Sequence, residues 1–288
     1  MLIFDDGERD NRRLALSLIN GQLMPEIHMR RGEPQVWSLC NGSTSAFYKL
    51  RLEGHTFDVI AHDGVPLPSP GLLGQETLVL ASGTRVEVVV RGNSQSGRYT
   101  LSYDEYNQGV DTWPRRDIAT VVVEGAPWTG ASDPGVDSSW TAEDLRSAAV
   151  PDDRKRTLVF GVNENVAEGE FGRFTINGRA YDPSFIEWTS TLNTVEEWHL
   201  VNETEQDHPF HVHVNPVQVT RVNGTPVGFH GHQDIVIIPR FGSVTVRTRF
   251  TDFAGSPLLI HCHILDHEDM GMMTSFAIAE PAASVVAG

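Results

Sequence analysis

An internal repeat of three short motifs limits the folds that this chain can adopt. The pairs are INGQ at 19–22 with INGR at 176–179, WSLCN at 37–41 with WHLVN at 198–202, and DGVP at 63–66 with NGTP at 223–226. The three pairs keep their order and nearly the same separation along the chain. Since 288 residues are enough to bury two cores of ordinary size, we predict two copies of one domain.

Each copy consists of short segments that alternate apolar and polar residues and end at Gly, Pro, Asn or Asp. TRVEVVV at 84–90 and SVTVRTRF at 243–250 are examples. Such alternation is typical of antiparallel strands with one buried face, and a series of them indicates a β-sandwich. We therefore predict an all-β chain with domains at 1–124 and 154–288.

The segment 125–153 lacks this alternation and is rich in Gly, Pro, Ser and Asp, so it is predicted to be an interdomain linker. Within it, SWTAEDLRSA at 139–148 favours one short helix with Ser or Thr as its cap.

Charge and hydropathy exclude some classes of partner. A formal net charge of −16 disfavours nucleic acid and anionic membranes. No apolar run approaches the roughly twenty residues that span a bilayer. The N-terminal MLIFDDGERDNRR turns acidic early and lacks the pattern of a secretory signal. LIFDD resembles a strand with no segment before it. We therefore expect the first residue of this chain to correspond to an internal position of longer relatives.

The residues with the most informative chemistry lie in LIHCHILDHEDMGMM at 259–273. Cys262, His267 and Met272 stand as C-x4-H-x4-M, so one loop could place a thiolate, an imidazole and a thioether around one ion. Two His and one Cys with a weak axial Met form a blue copper site. Zinc also accepts Cys and His, but the Met and the His-Cys-His pattern favour copper. The other cysteine, Cys40, is predicted to be a small buried strand residue.

A second motif upstream supplies the other imidazole, in DHPFHVHVNP at 207–216. Because neighbouring side chains of a strand point to opposite faces, His211 and His213 share one face. Pro209 can bend the strand so that His208 turns inward.

The same alternation applies to the later motif, where His261 and His263 point out of the domain if Cys262 points into it. We therefore predict two metal sites in the second domain. The inner site contains His208, Cys262, His267 and Met272. The outer site, at the domain edge, contains His211, His213, His261 and His263.

The order H-x-x-H-x-H followed by H-C-H-I-x-x-H-x-x-x-G-M resembles the last two copper motifs of the multicopper oxidases, the laccase-like enzymes. The resemblance implies that each copy is a cupredoxin-like Greek-key β-sandwich. It also implies a copper-dependent oxidoreductase that takes electrons from a phenolic, aromatic-amine or metal-ion donor and reduces oxygen. The ligands it implies are His208, Cys262, His267 and Met272 for type 1 copper, His211 for type 2, and His213, His261 and His263 for type 3.

The resemblance further implies an electron route through the ligands themselves. Electrons would enter at His267 or His208, cross Cys262, and reach His261 and His263 at the outer site. In some members of the family the acid just after the type 1 His helps to deliver protons to oxygen, which makes Glu268 a candidate proton donor. A solvated surface carboxylate is the alternative for that residue.

The first copy differs from the second at every ligand position. When the two copies are aligned, the positions of His208, His211 and His213 correspond to Phe47, Leu50 and Leu52 in the first copy. The His-Cys-His stretch corresponds roughly to Tyr103, Asp104 and Glu105. We therefore predict no copper in the first domain. This is similar to the middle domain of three-domain multicopper oxidases, so the chain corresponds to the second and third cupredoxin domains of that family.

In that family the trinuclear cluster takes further histidines from an N-terminal domain, and three alternatives follow. The chain is a fragment of such an oxidase, or copies associate as a homo-oligomer to complete the cluster, or only type 1 copper binds. In the last case the protein is an electron carrier or copper-binding module. His230 and His232 either contribute to a neighbour's cluster or lie in a loop near the type 1 site. The family resemblance implies a periplasmic or secreted protein.

Overall fold

The computed structural model describes residues 2–5, 16–130 and 141–281. Within these ranges the chain is built almost entirely of β-strands, which confirms the predicted all-β class. The strands of the first half are β1 (Leu2–Asp5), β2 (Ser17–Ile19), β3 (Glu26–Arg30), β4 (Pro34–Asn41), β5 (Tyr48–Leu52), β6 (Phe57–His62), β7 (Val65–Pro66), β8 (Leu72–Gln75), β9 (Leu78–Leu80), β10 (Arg85–Arg91), β11 (Gly97–Asp104), β12 (Tyr106–Asn107), β13 (Thr112–Trp113) and β14 (Arg116–Glu124).

The second half continues the pattern. Its strands are β15 (Lys155–Val162), β16 (Phe174–Ile176), β17 (Thr189–Thr191), β18 (Val195–Asn202), β19 (His208–Val212), β20 (Gln218–Val222), β21 (Thr225–Pro226), β22 (Ile235–Ile238), β23 (Ser243–Arg249), β24 (Gly255–Cys262) and β25 (Met273–Ala279). Between β24 and β25 lies the helix α1 (Leu265–Asp269). Among the described residues, no helix has the length and apolar character needed to cross a membrane.

The chain divides into two compact units. The first contains Met1–Glu143 and His230–Gln233, and the second contains Asp144–Phe229 and Asp234–Gly288. The division falls within the segment predicted to be a linker, of which residues 131–140 lie outside the described ranges. The helix predicted there is wrong in its described part. A single 3-10 turn at Leu145–Ser147 is present instead, and its cap is Asp144, whose carboxylate accepts the Arg146 N–H, rather than Ser or Thr.

Corresponding sheets of the two units have the same strand order. The first unit contains a sheet ordered β3-β14-β11-β5-β9, and the second contains a sheet ordered β17-β25-β24-β19-β22. In both, the first pair is parallel and the following pairs are antiparallel. Each unit has a second, larger sheet, with the central order β4-β10-β6 in the first unit and β15-β18-β23-β20 in the second. The internal repeat therefore corresponds to a repeat of sheet topology.

An aromatic cluster fills the core of the second unit. Trp198 on β18 is completely buried and its ring meets Phe210 on β19 and Phe276 on β25, with ring centroids 6.4 and 5.7 Å apart. These strands belong to different sheets, so Trp198 joins the two layers. Burial of large aromatic side chains supplies much of the free energy of packing, and here it packs β18 against β19 and β25.

Candidate metal centre

Strand register places the inner ligands on one face of the sheet. In the pairing of β19 with β24, Phe210 lies opposite Cys262 and His211 lies opposite His261. Side chains alternate along each strand, so His208 and Phe210 share the face of Cys262. His211 and His261 share the other face.

The predicted bend at Pro209 is not needed for this arrangement. The register of β19 against β22 is regular from His208 to His211. Because these two histidines are three residues apart, an odd spacing, alternation alone directs them to opposite faces.

Three ligand atoms of the inner group form a nearly equilateral triangle. His208 Nδ1 lies 3.5 Å from Cys262 Sγ, His267 Nδ1 lies 3.6 Å from the same sulfur, and the two nitrogens are 3.2 Å apart. The centre of such a triangle lies its side divided by √3 from each corner, about 2 Å, which matches metal–nitrogen bond lengths. The residues therefore fit one ion, and one thiolate with two imidazoles suits copper.

The segment after β24 holds His267 and Met272 in a fixed relation to Cys262. His267 lies in α1, the Met272 N–H donates to the His267 carbonyl at 2.8 Å, and the Cys262 N–H donates to the Met272 carbonyl at 3.1 Å. Between them, Gly271 has φ 112°, a conformation that only glycine adopts at low cost. Met272 is completely buried, so its thioether is held within the unit.

Burial determines the protonation of the inner group. It lowers the pKa of His208 to about 3, so the imidazole is neutral and able to bind a metal at neutral pH. Burial also raises the pKa of the Cys262 thiol well above its ordinary value. A bound cation offsets that cost, because metal binding to a thiol releases its proton.

Phe174 is a neighbour that the sequence did not indicate. Its ring stacks on the His267 imidazole with centroids 3.9 Å apart and an interplanar angle of 23°. It lies on β16, about ninety positions before His267 along the chain, and no local motif connects the two residues.

The outer histidines form a second cluster. Nitrogens of His211, His213 and His261 all lie within 4.8 Å of one another. His263 adjoins them, with its ring centroid 5.5 Å from that of His211 and 5.7 Å from that of His261. The structure therefore brings together all four residues predicted for the outer site.

Hydrogen bonds at Nδ1 orient two of these rings. His211 Nδ1 lies 3.0 Å from the Asp234 carbonyl oxygen. His261 Nδ1 lies 3.1 Å from both the Cys262 carbonyl oxygen and Glu268 Oε2. When Nδ1 donates to these oxygens, Nε2 is left free to bind a metal. Asp234 is a second contact that the ligand motifs did not indicate.

The pKa values of residues in and beside the outer cluster favour the binding of a cation. Burial, followed by the neighbouring His211 and His261, lowers the pKa of His213, and burial lowers that of His263. The hydrogen bond with His261 lowers the pKa of Glu268 below its ordinary value. At neutral pH His213 and His263 are therefore neutral and lie near the Glu268 carboxylate, which favours a bound cation.

The first unit has neither histidine nor cysteine at the structurally equivalent positions. Tyr48 pairs with Leu80 on β9 as His208 pairs with Ile238 on β22. The amides of Asn41 and Asn202 donate to the carbonyls of Leu80 and Ile238 in the same way, so Tyr48 is the equivalent of His208.

The correspondence predicted from the repeat is therefore wrong by one position. In the pairing of β5 with β11, Leu50 lies opposite Tyr103 and Arg51 lies opposite Ser102, where the second unit pairs Phe210 with Cys262 and His211 with His261. The cause is the turn before β5, because the Asn41 amide reaches the carbonyl of the fifth following residue, Ala46, whereas the Asn202 amide reaches that of the fourth, Gln206. The residues predicted at the ligand positions, each one place from the structural equivalent, are Phe47, Leu50, Leu52, Tyr103, Asp104 and Glu105.

Cys40 and the H-x-H pair belong to neither of the two clusters found among the described residues. Cys40 is on β4 as predicted but is only half-buried. His230 and His232 lie in an irregular segment and belong to neither group of closely spaced ligands found among the described residues.

Sequence models of the multicopper oxidase family match residues 5–125 and 153–282. The chain is 26% identical over 263 residues to the multicopper oxidase mco of Staphylococcus haemolyticus, covering 89% of this chain and 50% of that protein. It is 23% identical over 290 residues to a laccase of Bacillus subtilis, covering 92% of this chain and 54% of the relative. The chain thus spans about half the length of the curated relatives it matches.

The fold is similar to that of a solved multicopper oxidase from Campylobacter jejuni, described as a metallo-oxidase. The TM-score is 0.79 at 22% identity, over 98% of this chain and 63% of that one. McoA of Aquifex aeolicus gives a TM-score of 0.78 at 22% identity, over 91% of this chain and 59% of that one. These likenesses confirm the cupredoxin-like sandwich. With two family matches that together cover most of the sequence, the chain belongs to the multicopper oxidase family.

Proposed function

We propose that this chain is a laccase-like copper oxidoreductase that takes electrons at the inner cluster and delivers them to oxygen at the outer cluster. The observation that carries the proposal is that two ligand clusters lie in one unit and are joined by consecutive residues, 261–263. When bound, copper would supply one-electron redox chemistry at the inner cluster and the reduction of oxygen to water at the outer one.

The ligands follow from the geometry of the clusters and the family to which the chain belongs. The proposed type 1 ligands are His208, Cys262, His267 and Met272. The proposed type 2 ligand is His211, and the proposed type 3 ligands are His213, His261 and His263. The triangle of nitrogen and sulfur atoms supports the first three, and the complete burial of Met272 supports its thioether as the fourth.

Cys262 connects the clusters in two ways. It is covalently bonded to His261 and His263, and its carbonyl oxygen lies 3.1 Å from His261 Nδ1. The backbone at Cys262 therefore offers a short route for electrons that enter at His267 or His208. Glu268 accepts from the same His261 nitrogen, which supports an orienting role, and its role as a proton donor stays a prediction.

Exposed apolar side chains next to His267 and its ring neighbour support an aromatic electron donor. The His267 ring is buried and covered by Phe174. Leu265, two residues before His267, is 44% exposed, and Phe171, three residues before Phe174, is 62% exposed. Such side chains would favour a phenol or an aromatic amine. The family also includes the metallo-oxidase named above, so a metal-ion donor is a second class to test. We also propose an exported protein, periplasmic or secreted.

One observation favours an alternative function. Among the described residues, the outer cluster consists of four imidazoles from one unit, half of the shell that the family uses. Without a partner, the chain would be a type 1 electron carrier or copper-binding module. A homo-oligomer that joins two such edges would restore the oxidase function.

The test is copper bound per chain after reconstitution, with visible absorption, electron spin resonance and oxygen uptake measured on one sample. An oxidase should bind more than one copper, show a non-blue signal beside the blue one, and consume oxygen. About one copper, all blue, without oxygen uptake, would instead establish the carrier. The Cys262→Ser variant is the control, because it removes the blue signal and leaves the outer histidines intact.

A further inference from the structure

The two units share a buried turn that immediately follows the repeated WSLCN and WHLVN motifs. In the first unit the Asn41 amide donates to the carbonyls of Ala46 and Leu80 at 2.7 and 2.8 Å, and the Ser43 hydroxyl donates to Asn41 Oδ1 at 2.7 Å. The side chains of such Asn-x-Ser/Thr turns satisfy backbone groups that have left the sheet.

In the second unit the same bonds are made by Asn202 and Thr204. The Asn202 amide donates to the carbonyls of Gln206 and Ile238 at 2.8 and 3.2 Å, and the Thr204 hydroxyl donates to Asn202 Oδ1 at 2.8 Å. Because the bonds are equivalent in both units, the turn is an element of the fold that does not depend on a metal site.

The second unit adds one contact to this turn. Thr204 Oγ1 lies 2.7 Å from His208 Nε2, and both side chains are buried. The equivalent of His208 in the first unit is Tyr48, whose ring has no nitrogen. Of the two turns, the one that contacts an imidazole is therefore in the unit that contains the ligand cluster.

The direction of this hydrogen bond determines which nitrogen of His208 can bind a metal. The Thr204 hydroxyl has one proton, and two oxygens lie within reach to accept it, Asn202 Oδ1 at 2.8 Å and the Gln206 carbonyl at 3.2 Å. Its own oxygen therefore presents lone pairs to His208 Nε2 at 2.7 Å. A proton on Nε2 leaves Nδ1 bare, and Nδ1 is the atom 3.5 Å from Cys262 Sγ.

We propose that Thr204 is a positioning residue that fixes His208 in the Nε2–H tautomer and directs Nδ1 at the ligand triangle before metal binds. The inference rests on the proposed function, in which His208 is a copper ligand. Contacts of this kind to the far nitrogen of a ligand typically change metal affinity by about 10–100-fold when they are removed.

The experiment compares three variants of the full chain for copper affinity, read from the blue absorption during competition with a chelator. Thr204→Val removes the hydroxyl at nearly constant shape, and Thr204→Ser restores it. Ser43→Ala removes the equivalent hydroxyl of the first unit, where no imidazole stands opposite, and so measures the cost of damaging the turn alone.

The expected result is about 10–100-fold weaker copper binding for Thr204→Val, near wild-type binding for Thr204→Ser, and unchanged binding for Ser43→Ala. Equal affinity of Thr204→Val and wild type would overturn the positioning role while leaving the copper site intact. A wild-type protein that binds copper without a blue band would overturn the proposed function and this inference with it.

A second measurement needs no variant. Nitrogen-15 NMR of the copper-free protein reports which imidazole nitrogen of His208 carries the proton. Protonation at Nε2 is the expected result, and protonation at Nδ1 would overturn the inference even if Thr204→Val does not fold.

Discussion

Replacing Gly271 with alanine should destabilise the protein and also disturb the inner ligand cluster. Gly271 has φ 112°, and a Cβ there would lie 2.9 Å from the Phe174 carbonyl oxygen and 3.0 Å from Ala180 Cβ. Positive φ costs an L-residue about 1–2 kcal/mol, and overpacking in a closed site adds about 1–3 kcal/mol. The free energy of unfolding should therefore fall by about 2–5 kcal/mol.

Gly224→Ala is the matched control within the same unit. Gly224 also has positive φ, 77°, but no heavy atom lies within 4 Å of its ideal Cβ. Only the conformational cost applies, so the expected loss is about 1–2 kcal/mol. Urea denaturation of the copper-free proteins measures both values.

The blue absorption after copper is added shows whether each substitution also disturbs the inner cluster. Gly271 precedes Met272, whose N–H donates to the His267 carbonyl at 2.8 Å, so Gly271→Ala should alter the blue absorption, whereas Gly224→Ala should not. If Gly271→Ala and Gly224→Ala lose the same free energy of unfolding to within about 0.5 kcal/mol, and neither changes the blue absorption, the predicted clash at Gly271 would be refuted.

Three further outcomes are expected. Cys262→Ser should abolish the blue absorption, because the thiolate is lost, while Cys40→Ser should retain it; a blue Cys262→Ser protein would contradict the ligand assignment. Met272→Leu should raise the type 1 reduction potential measured by redox titration, and an unchanged potential would exclude Met272 as the axial ligand. Burial, followed by the neighbouring His230, lowers the pKa of His62 from 6.5 to about 4. The unfolded chain therefore binds a proton at a higher pH than the folded chain does. The free energy of unfolding should fall by about 2–3 kcal/mol when the pH is lowered from 7 to 4. His62→Gln should reduce that loss in urea denaturation at the two pH values, and an equal loss in the variant would show that His62 is not responsible.

Local sequence was sufficient to predict much of the inner cluster. Cys262, His267 and Met272 lie within one loop, so their spacing alone predicts that they meet around one ion. The alternation of apolar and polar residues also predicts strands, because it matches the two-residue period of a half-buried sheet. The repeat assigns Phe47 to the position of His208, one residue from Tyr48, which strand pairing shows to be the equivalent.

Other features depended on which strands pair. His208 lies 54 positions before Cys262 and reaches it because β19 pairs with β24. The sequence predicted that these residues meet but assigned the inward turn of His208 to a bend at Pro209, whereas regular alternation is sufficient. Register is set by hydrogen bonds between distant segments, so a local motif cannot specify it.

Periodicity, repetition and side-chain chemistry were enough to predict the all-β class, the repeated domain and the side chains of the two clusters. The groups that surround those side chains depended on the folded chain. Phe174 on His267 and Asp234 at His211 come from other strands and loops. Thr204 is only four residues before His208, but it faces that ring in a turn that Asn202 closes against the Ile238 carbonyl. Their contacts arise from the packing of the two sheets and of the turns between strands, a non-local property of the folded chain.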